Sequence, residues 1–316
     1  MSGLYLHYLR FFLYDLNMQL IPGIRVIPNQ ESIADAIEVN SGTTPASMTD
    51  YLNQCFEPGA IVPNDDWRGL TRDERDIVVG WPNAYRPGTW IAVYRVPEEL
   101  LSPFDEARRK TRQSNRRGEV LGIWTESARA AKPAFDRFVW QAFSLRPDRP
   151  DSMKLSGGIR VNDPAMKTVT TRPKTSDLVG LHVDDWYSAD VVGRDQSPNR
   201  ISINIGVQDR FFLFVNLPVS GFFQLHREDT GDPGQHRISC TQLGRRFLLA
   251  NPKYPVIRVR VKPGEAYVAP TENMLHDGSS IAMKAPDVVL SLHGDTVLQD
   301  PMLARRHFVS SLIRLE

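Results

Sequence analysis

The chain has 316 residues, 41% hydrophobic and 24% charged, a makeup that excludes disorder and a collagen-like fibre and suits a soluble globular protein. Its 38 Lys and Arg stand against 37 Asp and Glu, so a formal charge of +1 gives no global pull toward nucleic acid or an acidic membrane. Two cysteines, Cys55 and Cys240, build neither a disulfide framework nor a CxxC pair for zinc, and a reducing, cytoplasmic setting fits them best.

The N-terminal stretch MSGLYLHYLRFFLYDLNMQL carries His7, Arg10 and Asp15 and lacks a small-residue cleavage site. It therefore reads neither as a signal peptide nor as a membrane span, which needs about 20 apolar residues in a row. Met18 precedes LIPGIRVIP, and residues 1–17 read as a dispensable extension or a misassigned start. In NQESIADAIEVN, Ile33, Ala36, Ile37 and Val39 are spaced for a helix face, and MTDYLNQCF predicts a second short helix. Turn formers follow, then the strand-like IAVYRV. Two helical stretches come next, separated by the basic run Arg108, Arg109, Lys110, Arg112, Arg116 and Arg117. Such a run is ordinarily a solvated helix face, and a docking patch for an anionic substrate or carrier protein is the sharper alternative.

From about residue 151 the texture changes to short β-rich runs between turn signals: SGGIRVN, MKTVTT, GLHVDD, RISINIGV, RFFLFVNLPV, GFFQLH, PVIRVRV, GEAYVAP and VVLSLHG. Regular short strands predict a sandwich or jelly roll rather than alternating β-α units. A final helix, PMLARRHFVSSLIRL, sets Leu303, Phe308, Leu312 and Ile313 near one face. The expected architecture is α+β: a helix-rich portion over residues 1–150 supporting a β core over 151–316, together one compact unit.

The sharpest chemical signal is GLHVDDW, residues 180–186. In an extended strand His182 and Asp184 project from one face, about 7 Å apart at the backbone, where an imidazole and a carboxylate can share one metal ion. His276, in PGEAYVAPTENMLHDG, is the candidate third ligand. Two histidines and one carboxylate leave three neighbouring octahedral positions open, as in non-haem Fe(II) oxygenases.

At these residues the chain resembles the Fe(II)/2-oxoglutarate-dependent dioxygenase superfamily, whose double-stranded β-helix, a jelly-roll or cupin-like core, carries an HxD…H triad. The likeness covers residues 155–300. It implies Fe(II) at His182, Asp184 and His276, with 2-oxoglutarate and O2 as cosubstrates. It also implies a cation for the distal carboxylate of 2-oxoglutarate. The stretch after His276 offers only Lys284 and His293. Some members draw the cation from a strand soon after the HxD, and here that region supplies Arg200 and Arg210, with Ser202 and Asn204 alternating from Arg200. Arg200 is favoured over Arg210, and either over Lys284; a surface ion pair is the alternative role for Arg200. Asp185, Trp186 and His293 are candidates to line the substrate mouth, Thr271 and Asn273 to support His276, and Tyr267 to face inward. The segment HREDTGDPGQH, from His226 to His236, reads as a surface loop, with a lid over the site as the alternative.

The resemblance implies hydroxylation or desaturation of an unactivated C–H bond, with release of succinate and CO2. Superfamily halogenases carry Gly or Ala where this chain has Asp184, so chlorination is not expected. A small molecule, such as an amino acid or natural-product intermediate, is the expected substrate. A protein or peptide hydroxylase, a non-catalytic cupin-like metal-binding module and a zinc hydrolase stay open as alternatives.

Overall fold

The computed structural model describes residues 20–27, 33–49, 54–80, 88–112, 117–142, 156–186, 191–230 and 238–293. In chain order the strands are β1 (Arg25–Val26), β2 (Ile37–Val39), β3 (Thr43–Pro45), β4 (Ile61–Pro63), β5 (Arg68–Gly69), β6 (Trp90–Arg95), β7 (Ser156–Asn162) and β8 (Arg200–Asn204). They continue as β9 (Arg210–Pro218), β10 (Ile257–Val261), β11 (Glu265–Ala269), β12 (Met274–Ser279) and β13 (Asp287–His293). The helices are α1 (Arg72–Val78), α2 (Glu98–Leu101), α3 (Asp105–Thr111), α4 (Arg117–Ala142), α5 (Val219–Thr230) and α6 (Cys240–Ala250).

Two sheets carry the fold. One has the order β1-β6-β11-β8-β13-β7 and the other β12-β9-β10-β2-β5, while β3 and β4 form a separate pair. The sheets meet face to face, since Phe212 of β9 stacks on Tyr267 of β11 with ring centroids 4.1 Å apart. Strand alternation explains the two cores. On β6, Ile91 and Val93 enter the core between the sheets, while Trp90, Ala92 and Tyr94 face a second core shared with the helices. That outer core holds Phe104 against Trp124 and Phe135, with centroids 5.7 and 6.0 Å away. The Trp124 indole N–H is satisfied by Thr111 Oγ1 at 2.8 Å.

The mixed α and β character is as expected, but several elements differ from the sequence expectation. The first 150 residues are not merely helical support, because β1 and β6 extend one sheet and β2 and β5 the other. Residues 33–39 form a single 3-10 turn followed by β2. Ile37 and Val39 are buried at strand spacing, and Glu38 between them turns out to pair with Arg258. GFFQLH belongs to helix α5 rather than to a strand. Phe222 there packs on Phe247 of α6 at 5.2 Å, so aromatic content disguised a helix buried on one side. MKTVTT makes no ladder strand beyond a bridge between Thr171 and Leu178. Among the unpredicted elements are the short strands β1 to β5, α1, α6, whose Ser239 and Gln242 form a capping box, and β12 itself.

Within the basic run, Arg109, Lys110 and Arg112 are exposed on or just after α3, whereas Arg108 turns inward to donate to the Ile205 carbonyl at 3.0 Å. Residues 1–17, the core of MTDYLNQCF, Arg116, His236 and the expected final helix lie outside the described residues, as do the side chains of Arg117 and His226. No helix among the described residues is long and apolar enough to cross a membrane.

Candidate metal centre

Gly180 opens the site. Its φ of +72° is left-handed, and a Cβ there would meet the Ile61 carbonyl oxygen at 2.6 Å, so only glycine lets the chain turn this close to β4. The following segment is extended and pinned on every side. Leu181 N–H donates to Ile61 O, Val183 exchanges hydrogen bonds with Thr241 Oγ1, and Asp184 N–H donates to Thr271 O. His182 and His276 exchange backbone hydrogen bonds of 3.1 and 2.8 Å, which attaches the segment to the free edge of β12. This bridge brings the two histidine rings to a centroid distance of 4.6 Å.

Ligand atoms of His182, Asp184 and His276 all lie within 4.8 Å of one another, and all three residues are buried. His182 Nε2 is 3.6 Å from Asp184 Oδ1, and His276 Nε2 is 3.6 Å from Asp184 Oδ2. Each Nδ1 faces a backbone carbonyl, Gly180 O at 2.9 Å for His182 and Met274 O at 3.3 Å for His276. A carbonyl only accepts, so each Nδ1 carries a proton and each Nε2 is the atom that faces Asp184. His276 Nε2 and Asp184 Oδ2 have no hydrogen-bond partner although both are fully buried. Orphaned acceptors converging on one point are what a cation satisfies and what a purely structural histidine avoids.

The charges agree. Burial lowers the pKa of His276 to about 3 despite Asp184. Burial also pulls His182 down, but Asp184 and Asp277 outweigh it and hold the ring above its ordinary value. Asp184 stays ionised: burial opposes its charge, and Arg200 with the two histidines more than compensates, holding the carboxyl far below the usual range.

Asp277 stands behind His182, with Oδ2 3.7 Å from Nδ1. Its Oδ1 accepts from the Thr170 hydroxyl at 2.9 Å and the Gly278 N–H at 2.7 Å. Buried Arg194 donates to the carbonyls of Asp184 and Glu272 and to the Asp185 carboxylate, clamping the ligand strand to the turn before β12.

Comparison with known proteins adds little. No family model matches the chain, and no curated protein matches it. Solved structures that do match include a Kdo hydroxylase, KdoO, described as a non-heme Fe(II) alphaketoglutarate dependent dioxygenase. Its complex with alphaketoglutarate and Fe(III) shares 14% identity, 69% of this chain and 81% of that chain, at a TM-score of 0.36. The apo form gives 15% at 0.36, with the same coverage, and the cobalt(II) complex 13% at 0.35 over 69% and 82%. These neighbours are oxygenases. A TM-score this low carries no weight for the fold or the chemistry of this chain, and the site is read from its own atoms.

The remaining candidates separate into groups. Arg200, at the start of β8, has Nη2 2.7 Å from Asp184 Oδ2, so it stands at the metal ligands themselves. It is no surface ion pair. Ser202 lies deeper, in register with Tyr267 and Ser291, and its hydroxyl meets that of Ser291 at 2.9 Å. Asn204 is committed to structure: its amide donates to the Gln208 and Val261 carbonyls and its oxygen accepts from Gly206 N–H. It holds the turn after β8 rather than facing a ligand. Arg210 is 3% exposed, ion-paired to Asp287 at 2.9 Å, and its Nη1 has no hydrogen-bond partner. Lys284 is exposed on a turn. Asp185 is exposed and bound to Arg194, Trp186 is 52% exposed, and its ring stacks on His293 at 4.7 Å. Tyr267 faces inward as expected; Thr271 contributes its carbonyl, and Asn273 donates to Gly88 O and accepts from Val219 N–H. Sequence reading missed Arg194, Asp277 and Glu272. The adjacency of Asp277 to His276 was a visible signal, whereas nothing local marked Arg194.

Proposed function

We propose that the chain is a non-haem Fe(II)- and 2-oxoglutarate-dependent oxygenase that hydroxylates or desaturates an unactivated C–H bond of a small molecule, releasing succinate and CO2. The observation that carries this reading is the triad: the Nε2 atoms of two buried imidazoles and one ionised carboxylate converge, leaving neighbouring positions for a chelating cosubstrate and O2. Strand order supports a double-stranded β-helix, since β8 to β13 pass between the two facing sheets. Bound to His182, Asp184 and His276, Fe(II) with 2-oxoglutarate and O2 supplies the oxidising power for C–H cleavage.

The chain supplies position. The Gly180 and Met274 carbonyls hold each imidazole in the ligating tautomer, and Arg194 fixes the backbone that presents Asp184. For the distal carboxylate of 2-oxoglutarate, Arg210 is the better anchor than Arg200. Gly278 lies two residues from His276 on the same face of β12, about 7 Å along, and a Cβ on Gly278 would collide with Arg210 Nη2. The free Nη1 donor of Arg210 is therefore buried along the strand that carries the metal ligand, within reach of a five-carbon diacid.

Anaerobic addition of Fe(II) and 2-oxoglutarate should produce a visible metal-to-ligand charge-transfer band, followed by succinate on admission of O2. Alanine at His182, Asp184 or His276 should abolish both while cooperative thermal unfolding persists. Wild-type protein that binds the metal without the band and forms no succinate is the metal-binding module instead. Activity with zinc in the absence of O2 would establish the hydrolase.

A further inference from the structure

Beside the triad stands a further unsatisfied group. Arg200 sits beside the metal ligands, but its Nε is buried with no hydrogen-bond partner. Its Nη2 reaches Asp184 Oδ2 at 2.7 Å without hydrogen-bond geometry, for that oxygen too lacks a hydrogen-bond partner. The guanidinium carbon is 5.9 Å from the Trp186 ring centroid. Trp186 is half exposed, yet its backbone is fixed by a 2.9 Å hydrogen bond from its N–H to Glu272 Oε1 and its ring by stacking on His293. An exposed tryptophan held this firmly is a preformed surface.

The charge balance at Arg200 changes when a cation binds. Without metal, Asp184 neutralises the guanidinium. A divalent ion on Asp184 takes over that carboxylate, and Arg200 is left facing the mouth with an uncompensated charge and free donors. Arg210, deeper between the sheets, is the residue proposed above for the cosubstrate. Arg200, Trp186 and His293 lie together at the opposite, open end of β8 and β13, where His293 is in register with Arg200.

We propose that these three residues form the substrate clamp, and that the substrate is a small carboxylate whose anionic group pairs with Arg200 and whose flat or apolar body lies on Trp186. The clamp rests on the oxygenase reading and names its substrate class. A guanidinium fork matches a carboxylate in shape and charge, and an indole face adds contact to whatever the carboxylate is attached to.

Benzoate and its neutral isostere benzamide are suitable probes, titrated calorimetrically into the anaerobic protein with Fe(II) and 2-oxoglutarate. Benzoate should bind at least about tenfold more tightly than benzamide. Arg200→Ala should remove that preference, Arg200→Lys should keep part of it, and Trp186→Ala should weaken both probes. Metal should strengthen benzoate binding, because it releases Arg200 from Asp184. The charge-transfer band should survive Arg200→Ala and fail in Arg210→Ala. Equal binding of both probes, or a benzoate affinity indifferent to Arg200, overturns the clamp while leaving the oxygenase reading intact. Loss of the band in Arg200→Ala with its retention in Arg210→Ala assigns Arg200 to the cosubstrate and also overturns the clamp. A wild-type protein with no band sinks the oxygenase reading, and the clamp with it.

Discussion

Gly278 has no side chain because Arg210 occupies the space, with Val169 Cγ2 2.9 Å from where a Cβ would stand. Gly278→Ala should therefore displace the Arg210 guanidinium and weaken 2-oxoglutarate about tenfold or more in a charge-transfer titration, with metal affinity retained; an unchanged affinity would remove Arg210 from the anchor role. Asp277 acts on the other ligand. It is buried, which raises its pKa, and it stands against His182. Asp277→Asn should loosen the metal by roughly 10- to 100-fold, the usual cost of losing a group that orients a ligand, as read by competition with a chelating dye. The triad was legible because His-x-Asp on an extended segment has one geometric consequence, whichever sheet it joins. Asn204 was misjudged for a physical reason: alternation gives the side a residue faces but not whether its amide is already spent on nearby carbonyls. The different depths of Arg200 and Arg210 were likewise illegible, since depth within a sheet does not show in a spacing of ten residues.

At the scale of elements, the ligand segment is placed by its neighbours and not by a ladder of its own. Glu57 ties down the approach to it, accepting from Arg245 at 2.6 Å and also from Arg172, while Glu57 N–H donates to Leu178 O. Partial burial favours the neutral acid, but the two arginines outweigh it and lower the Glu57 pKa. The folded state thus prefers the ionised form. Its stabilising effect is present above the ordinary glutamate value of about 4.3 and is lost as pH falls through the lower, folded value. Glu57→Gln should cost about 0.5 to 1.5 kcal/mol at pH 7, since Arg172 is half exposed, and the difference from wild type in chemical denaturation should vanish in acid. Gly180→Ala should be the harsher change, costing about 1 to 3 kcal/mol through a strained φ and a carbonyl clash; equal stability would show that the turn relaxes. Ladder strands β6 to β11 and β13 were legible from β-branched and aromatic runs. Helix α5 was not, because Phe222, Phe223 and Leu225 match either period over so short a span.

At the scale of the molecule, the boundary near residue 150 marks a change of texture and not a seam. β6 pairs with β11 over Glu265–Val268, β1 extends that sheet, and β2 pairs with β10. Asn216 of β9 also binds the Ile21 carbonyl through its side chain and the Ile24 N–H through its own carbonyl. A fragment of residues 151–316 should accordingly show no cooperative melting transition by calorimetry, having lost strands from both sheets; a sharp transition would mean that the C-terminal portion is autonomous. Of these early strands, β6 was legible as IAVYRV, while β1 and β2 escaped sequence reading because two or three residues carry no period.

The backbone bridge between His182 and His276 also bears on biosynthesis. The first histidine is translated long before the second, and the strand that carries the second forms only after α5, α6, β10 and β11 have emerged. A growing chain thus exposes an incomplete pair, too weak to retain a metal, until nearly all of both sheets can close. The His182, Asp184 and His276 group is therefore assembled only at the end of folding, once the strand that carries His276 has formed.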